Sequence, residues 1–124
     1  MFGWFKPNRK ATPKALIPES RWVVSVDDGG IRVRDDKGEE KSISKANLSG
    51  VIIETNDSGP WGADFWWLLF GPNEVLLCSF PQGATGEDAA VDFLTALPAF
   101  DHGLMGKAIS STGNATFPVW RKRP

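Results

Sequence analysis

The stretch DFWWLLFGPNEVLLCSF, Asp64 to Phe80, places two apolar runs on either side of a Gly-Pro-Asn-Glu turn. Alternate residues of a strand point to opposite faces. Phe65, Trp67 and Leu69 therefore share one side of the first run, and Trp66, Leu68 and Phe70 share the other. Both sides are apolar. In the second run Val75, Leu77 and Ser79 oppose Leu76, Cys78 and Phe80, again with no polar face. A soluble chain with adjacent tryptophans in one strand either covers both faces or keeps one ring on the surface for a partner. The first reading is preferred, because an exposed tryptophan without a partner is a solubility liability. In the second, Trp66 joins Trp61 on an exposed patch.

Upstream, the chain reads as a series of hairpins. RWVVSV is a strand, and DDGG a tight turn in which Asp28-Gly29 is expected to supply positive φ. IRVRD returns with Ile31 and Val33 on one face and Arg32 and Arg34 on the other. A turn at Lys37-Gly38 leads to a short strand in EEKSIS, and after KANLSG comes VIIET, a strand of β-branched residues. In the Gly71–Glu74 turn, Pro72 and Asn73 are expected at the two central positions. Six strands in immediate succession imply an antiparallel meander.

After Phe80 the period changes. In TGEDAAVDFLTALP, Thr85 and Asp88 have capping-box-like spacing, and Ala89, Ala90, Phe93, Leu94 and Leu97 fall on one helical face. Pro98 stops that helix. A second helix is expected to begin at Asp101 as N-cap, with Leu104, Met105, Ala108 and Ile109 facing inward. ATFPVW is a last extended segment, which Pro118 restricts to an edge. The expected fold is α+β: a six-strand antiparallel meander curled into a roll or half-barrel, followed by one or two C-terminal helices.

Composition fits this. The 124 residues are 41% hydrophobic and 23% charged, which suits one globular domain over 21–124 behind a basic tail, residues 1–20. Six Trp and eight Phe with no Tyr make a core built on rings. Charge is uneven. Lys6, Arg9, Lys10, Lys14 and Arg21 against Glu19 give the first 21 residues +4, the last four carry +3, and 22–120 carry −8. An acidic body argues against nucleic-acid binding. A single cysteine, Cys78, fits a reducing compartment, and the proline-broken N-terminal stretch lacks the apolar run of a signal peptide. A cytoplasmic location is the expectation.

The step ISKANLSGVIIET, within strands in meander followed by a helix, resembles bacterial domains of the pleckstrin-homology-like (PH-like) kind. ETNDSGPWGADFWWLL, PQGATGEDAAVDFLTALPAFD and the trailing TFPVW resemble a set of short, uncharacterised bacterial proteins, with TNDSGP and LPAFD the more distinctive pieces. The resemblance spans residues 22–120 and implies a curled roll with a helical lid. It implies no activity, and a fold alone does not specify one.

Residues with chemical potential are few. Cys78 and His102 are the only possible thiolate–imidazole pair; mid-strand, Cys78 reads as an inert small hydrophobe, and His102 as a surface residue of a first helical turn. One Cys and one His do not make a structural zinc set, and the acidic turns DDGG and DDKGEE lack calcium-loop spacing. No cofactor or metal is expected. The loop NDSGPWGA offers Asn56, Asp57 and Ser58 as hydrogen-bonding groups and Trp61 as a flat apolar surface; with Asp64 and Trp66 it forms the candidate binding site. As a purely structural loop, the same residues bond their own backbone and cover a core edge.

The functional expectation is a non-enzymatic module that binds a protein or peptide. An immunity-type inhibitor, its acidic body meeting a basic toxin, is the alternative. An enzyme using Glu54, Asp57 or Asp64 as a carboxylate base is the third reading. Edge strands and surplus aromatics allow a homodimer. Residues 1–14, mixing aromatics and cations, allow weak contact with a membrane surface.

Overall fold

The computed structural model describes residues 21–59, 62–111 and 113–122, and the side chains of 57–59 and 62–64 lie outside that description. The tail 1–20 and Trp61 therefore fall outside it as well. The described chain runs β1 (Val23–Asp27), β2 (Gly30–Arg34), β3 (Glu40–Ser44), β4 (Gly50–Gly59), β5 (Gly62–Phe70), a 3-10 turn at Pro72–Glu74, β6 (Leu76–Pro81), α1 (Glu87–Thr95), α2 (His102–Ser110) and β7 (Ala115–Arg121). The fold is α+β and antiparallel: β1-β2-β3 form one sheet and β6-β5-β4-β7 a second, and the two do not close into a barrel.

The hairpins expected from the alternating runs are present, but no ladder joins β3 to β4. Of the intervening residues 45–49, Leu48 alone turns fully inward. Leu48 is fully buried, and its N–H bonds the Ser44 carbonyl. β7 pairs antiparallel with β4 and occupies an edge, as Pro118 requires.

The turns correct the sequence reading. Asp28 and Gly29 do not take positive φ; the Asp27 carboxylate accepts from the N–H groups of Gly29 (2.8 Å) and Gly30 (3.1 Å) and closes the turn from outside. At the second turn Asp35 does the same for Lys37 and Glu39, both at 2.9 Å, with Gly38 at φ 86. Between β5 and β6 the chain makes a 3-10 turn with Asn73 (φ 62) and Glu74 (φ 60) left-handed, and the Gly71 N–H bonds the Val75 carbonyl.

The start of α1 is a further correction. Its N-cap is Gly86, in the left-handed region at φ 85, and no side chain caps it. Thr85 is committed through its backbone: its carbonyl accepts from Val24 N–H and its N–H bonds the Trp22 carbonyl, tying the helix entrance to β1. The approach is so close that a Cβ on Gly86 would strike the Val24 carbonyl. α1 buries Ala90, Leu94 and, beyond its end, Leu97, while Ala89 is exposed. α2 begins as expected, with Asp101 accepting from Leu104 N–H at 2.9 Å. It buries Ala108 but leaves Ile109 61% exposed, contrary to the inward placement expected from its spacing.

The tryptophan pair is core. Trp67 is 1% and Trp66 4% exposed, on opposite faces of β5, a central strand of its sheet. On the inner face Trp67 lies between Phe80 (centroids 6.3 Å apart, 15° between planes) and Phe100 (6.5 Å, 30°). Val51, Ile53, Leu69 and Cys78 complete that face, all fully buried. On the outer face Trp22 meets Trp66 edge-on at 5.3 Å. Two covered faces thus account for the unbroken apolar runs.

Candidate functional site

α2 packs on β4 and β7 and α1 on β1 of the other sheet, and a groove of about 430 Å³ lies between the two helices beside β5. β5 supplies its floor with Phe65 and Trp67, which meet edge to face at 6.0 Å. α1 supplies Glu87, Asp88, Val91 and Asp92 along one wall, and α2 supplies Met105 and Ile109 along the other. Alternation in β5 puts Phe65 and Trp67 on this face, and the spacing of four between Asp88 and Asp92 stacks two carboxylates on one side of α1.

The rim is acidic. Asp88 and Asp92 are exposed, and no described cation lies in ion-pair reach of either; the one ion pair among the described residues is Arg32 with Glu40 at 3.9 Å, on the other sheet. Glu87 is half-buried and accepts from the Gly83 N–H at 2.9 Å, which fixes its carboxylate beside the helix entrance. The aromatic floor is rigid, held by stacked rings that are themselves buried. The Trp67 indole N–H is buried and meets no acceptor among the described residues. Leaving such a group unmet costs ~1–3 kcal/mol.

The groove ends beside the β4–β5 hairpin, and here the sequence reading is corrected: residues 56–59 and 62–63, expected as a loop, continue β4 and β5. Thr55, directly across the ladder from Phe65, is the only buried polar side chain in the described core. Its hydroxyl donates to the Gly113 carbonyl at 2.9 Å and so accepts from the Ser111 hydroxyl at 3.1 Å. This pair of bonds fastens the end of α2 and the following loop to the root of the hairpin. Asn56 pairs with Asp64 in the ladder, and the register slips between Asn56 and Gly59 before Gly59 pairs with Gly62.

The residues singled out from the sequence are partly brought together. Asn56 and Asp64 are cross-strand neighbours at the hairpin root, whereas the side chains of Asp57, Ser58, Trp61 and Asp64 lie outside the described residues. Trp66 is corrected: buried under Trp22 on the outer face, it is not part of an exposed patch. Glu54 lies across from Trp66, so it too faces away from the groove. Cys78 is buried, and burial pushes its thiol from an ordinary 9.0 up to about 11 against the opposing Lys41 charge. It is a protonated thiol at neutral pH, while His102 is exposed, its ring against Phe100 at 4.9 Å. Among the described residues no cluster of three His, Cys, Asp or Glu could hold a metal, and no helix is long and apolar enough to cross a membrane.

Sequence reading missed the groove because its walls come from two helices whose contact partners no local pattern reveals. The usable signal was Ile109, an apolar residue at the limit of its helical stripe. Comparison with protein-family models, curated proteins and solved structures finds no match.

Proposed function

We propose that the chain is a non-enzymatic recognition module that takes a cationic segment of a protein partner in the groove between α1 and α2. The observation that carries this reading is the pairing of an aromatic floor, Phe65 and Trp67, with carboxylates at Asp88 and Asp92 that no cation among the described residues pairs. Lys and Arg side chains suit such a site, since their apolar stems lie along rings while the charged ends reach carboxylates. Magnitudes divide the work. An exposed ion pair gives ~0.2–1 kcal/mol, so the rim selects and steers. Burying apolar area at ~25 cal/mol per Å² gives the affinity, which comes from the floor, Met105 and the exposed Ile109. The sequence candidates Asn56, Asp57, Ser58, Trp61 and Asp64 stay part of this proposal as further binding residues.

The test is capture of partners from the native host by wild type and by the Asp88→Asn/Asp92→Asn variant, at low and high salt. A partner that wild type retains, that salt releases and that the variant loses is the expected result. Identical retention by both proteins would refute the groove.

The net −8 of residues 22–120 favours a second reading, an immunity-type inhibitor whose basic partner is a toxin. A toxin reading frame beside the gene supports it, and a solitary locus counts against it. A PH-like kinship of the curled sheets is likewise a proposal, supported by the order of hairpins before a helical lid.

A further inference from the structure

The two sheets end in four edge strands, and three of these edges are closed or broken within the described chain. β1 spends its outer edge on the entrance to α1: the Val24 N–H bonds the Thr85 carbonyl at 2.7 Å, and the Trp22 carbonyl accepts from the Thr85 N–H at 2.8 Å. β7 gives the Val119 carbonyl to the Asp101 N–H at 2.7 Å and carries Pro118, which has no N–H to offer. β6 is interrupted by a register slip between Cys78 and Leu76 and ends in Pro81, whose carbonyl accepts from Ala84. β3 is the exception. The Asp35 N–H bonds the Glu39 carbonyl at 2.9 Å and the Lys45 N–H bonds the Gly29 carbonyl at 2.7 Å, which marks hydrogen-bonded pairs at both ends of the β2–β3 ladder. Such pairs alternate, so the backbones of Lys41 and Ile43 bond β2, whereas Glu40 and Ser42 turn N–H and C=O away from it. Those outward groups meet no partner among the described residues. Glu40, Lys41, Ser42 and Ser44 are exposed, and Ile43 alone is buried.

We infer that this edge pairs with the same edge of a second copy, antiparallel about a twofold axis at Ser42. Charge selects the occupant and the register. An axis at Glu40 sets Glu40 against itself, one at Lys41 sets Lys41 against itself, and one at Ile43 sets Lys41 against Lys45. Like charges directly opposite are destabilising. An axis at Ser44 falls where the strand ends, on a carbonyl that already accepts from Asn47 and Leu48. The axis at Ser42 sets Ser42 against Ser42, Glu40 against Ser44 and Lys41 against Ile43, with no like charges opposed. It also brings Glu39 of one copy to Lys45 of the other, whose ammonium stands over the Phe93 ring at 5.8 Å. Two three-stranded sheets become one continuous sheet through an isologous contact. Five residues a side make a small interface, so the dimer is weak and concentration-dependent. The groove lies on other elements and stays open in it.

Single-cysteine chains test the register, each full length and carrying Cys78→Ala so that the added thiol is the only one. Under mild oxidation Ser42→Cys is expected to form a linked dimer at least about tenfold faster than Glu40→Cys, because the axis holds its two thiols together. At Glu40 the same axis separates the Cα atoms of the two copies by about 13 Å along the strands, beyond the reach of a disulfide. Equal rates, or a faster rate at position 40, would overturn the proposal. Sedimentation of the wild type at rising concentration tests it without a cross-link. A dimer is expected that Ser42→Pro abolishes, since proline removes the outward N–H and leaves the bonds to β2 intact. Glu40→Pro is the second variant should Ser42→Pro fold poorly, with the same expectation. A wild type that stays monomeric throughout, or a dimer that the folded proline variant keeps, would rule the pairing out.

Discussion

Ala99 sits at φ 67, a conformation that an L side chain adopts at a cost. It is the third residue of a turn that begins at Leu97, carries Pro98 second and closes with the Phe100 N–H on the Leu97 carbonyl at 3.1 Å. That turn wants glycine at the third place. Ala99→Gly is expected to stabilise the fold by about 0.5–1 kcal/mol, and Glu74→Gly (native φ 60) by a similar amount, as read by denaturant midpoints. Gly86→Ala is expected to do the reverse and by more, because the new Cβ meets backbone that cannot give way. Cys78 supplies a pH dependence. Its folded thiol titrates near 11 against an ordinary 9.0, so folding is fully favoured by this group below pH 9 and loses that contribution as pH rises toward 11. The loss is on the order of 1–3 kcal/mol. Cys78→Ala should flatten the alkaline limb of a stability–pH curve; an unchanged slope would assign it to other groups.

Elements are where sequence reading succeeded and where it slipped. Strand existence was legible because the period of two in IRVRD and EEKSIS and the β-branched run in VIIET have no competing helical reading. The two-faced apolar character of β5 was legible too, as central strands covered on both sides read this way. The mechanics of the first turn were not, since the Asp27 carboxylate bonds the turn amides where positive φ at Asp28-Gly29 was expected. The α1 cap was missed for a related reason: Thr85 has the right spacing but its backbone is drawn into β1, a non-local pairing. Asp101 was legible because capping is local. Asp101→Ala is expected to cost about 1 kcal/mol by loss of the bond to Leu104. Thr55→Val tests the fastening of α2 to the hairpin. It keeps the shape and removes both hydroxyl bonds, so a loss of ~1–3 kcal/mol is expected, with hydrogen exchange rising around Ser111 and Gly113. A rise spread evenly over the domain would contradict that local role.

At the scale of the molecule, the fold covers one aromatic-rich sheet on both faces. Its inner face packs Trp67, Phe80 and Phe100 into a rigid bed, and α1 and α2 leave beside it a slot whose wall is acidic. Its outer face carries Trp66 and Leu68 beside the entry of the chain. The charge asymmetry that the sequence displays, a basic beginning before an acidic body, becomes meaningful only when Asp88 and Asp92 are seen to share a rim with exposed Ile109. The groove therefore could not be read from spacing, because it needs the packing of two helices beside a strand far away in the chain. The most direct measurement is amide chemical-shift mapping with a hexa-arginine peptide, with hexa-glutamate as the opposite charge. The account predicts salt-sensitive shifts for arginine alone, centred on Phe65, the Trp67 indole, residues 87–92 and 105–109, and their loss in Asp88→Asn/Asp92→Asn. Shifts of equal size for both peptides, or shifts centred on the β1–β2 and β2–β3 turns, would contradict it.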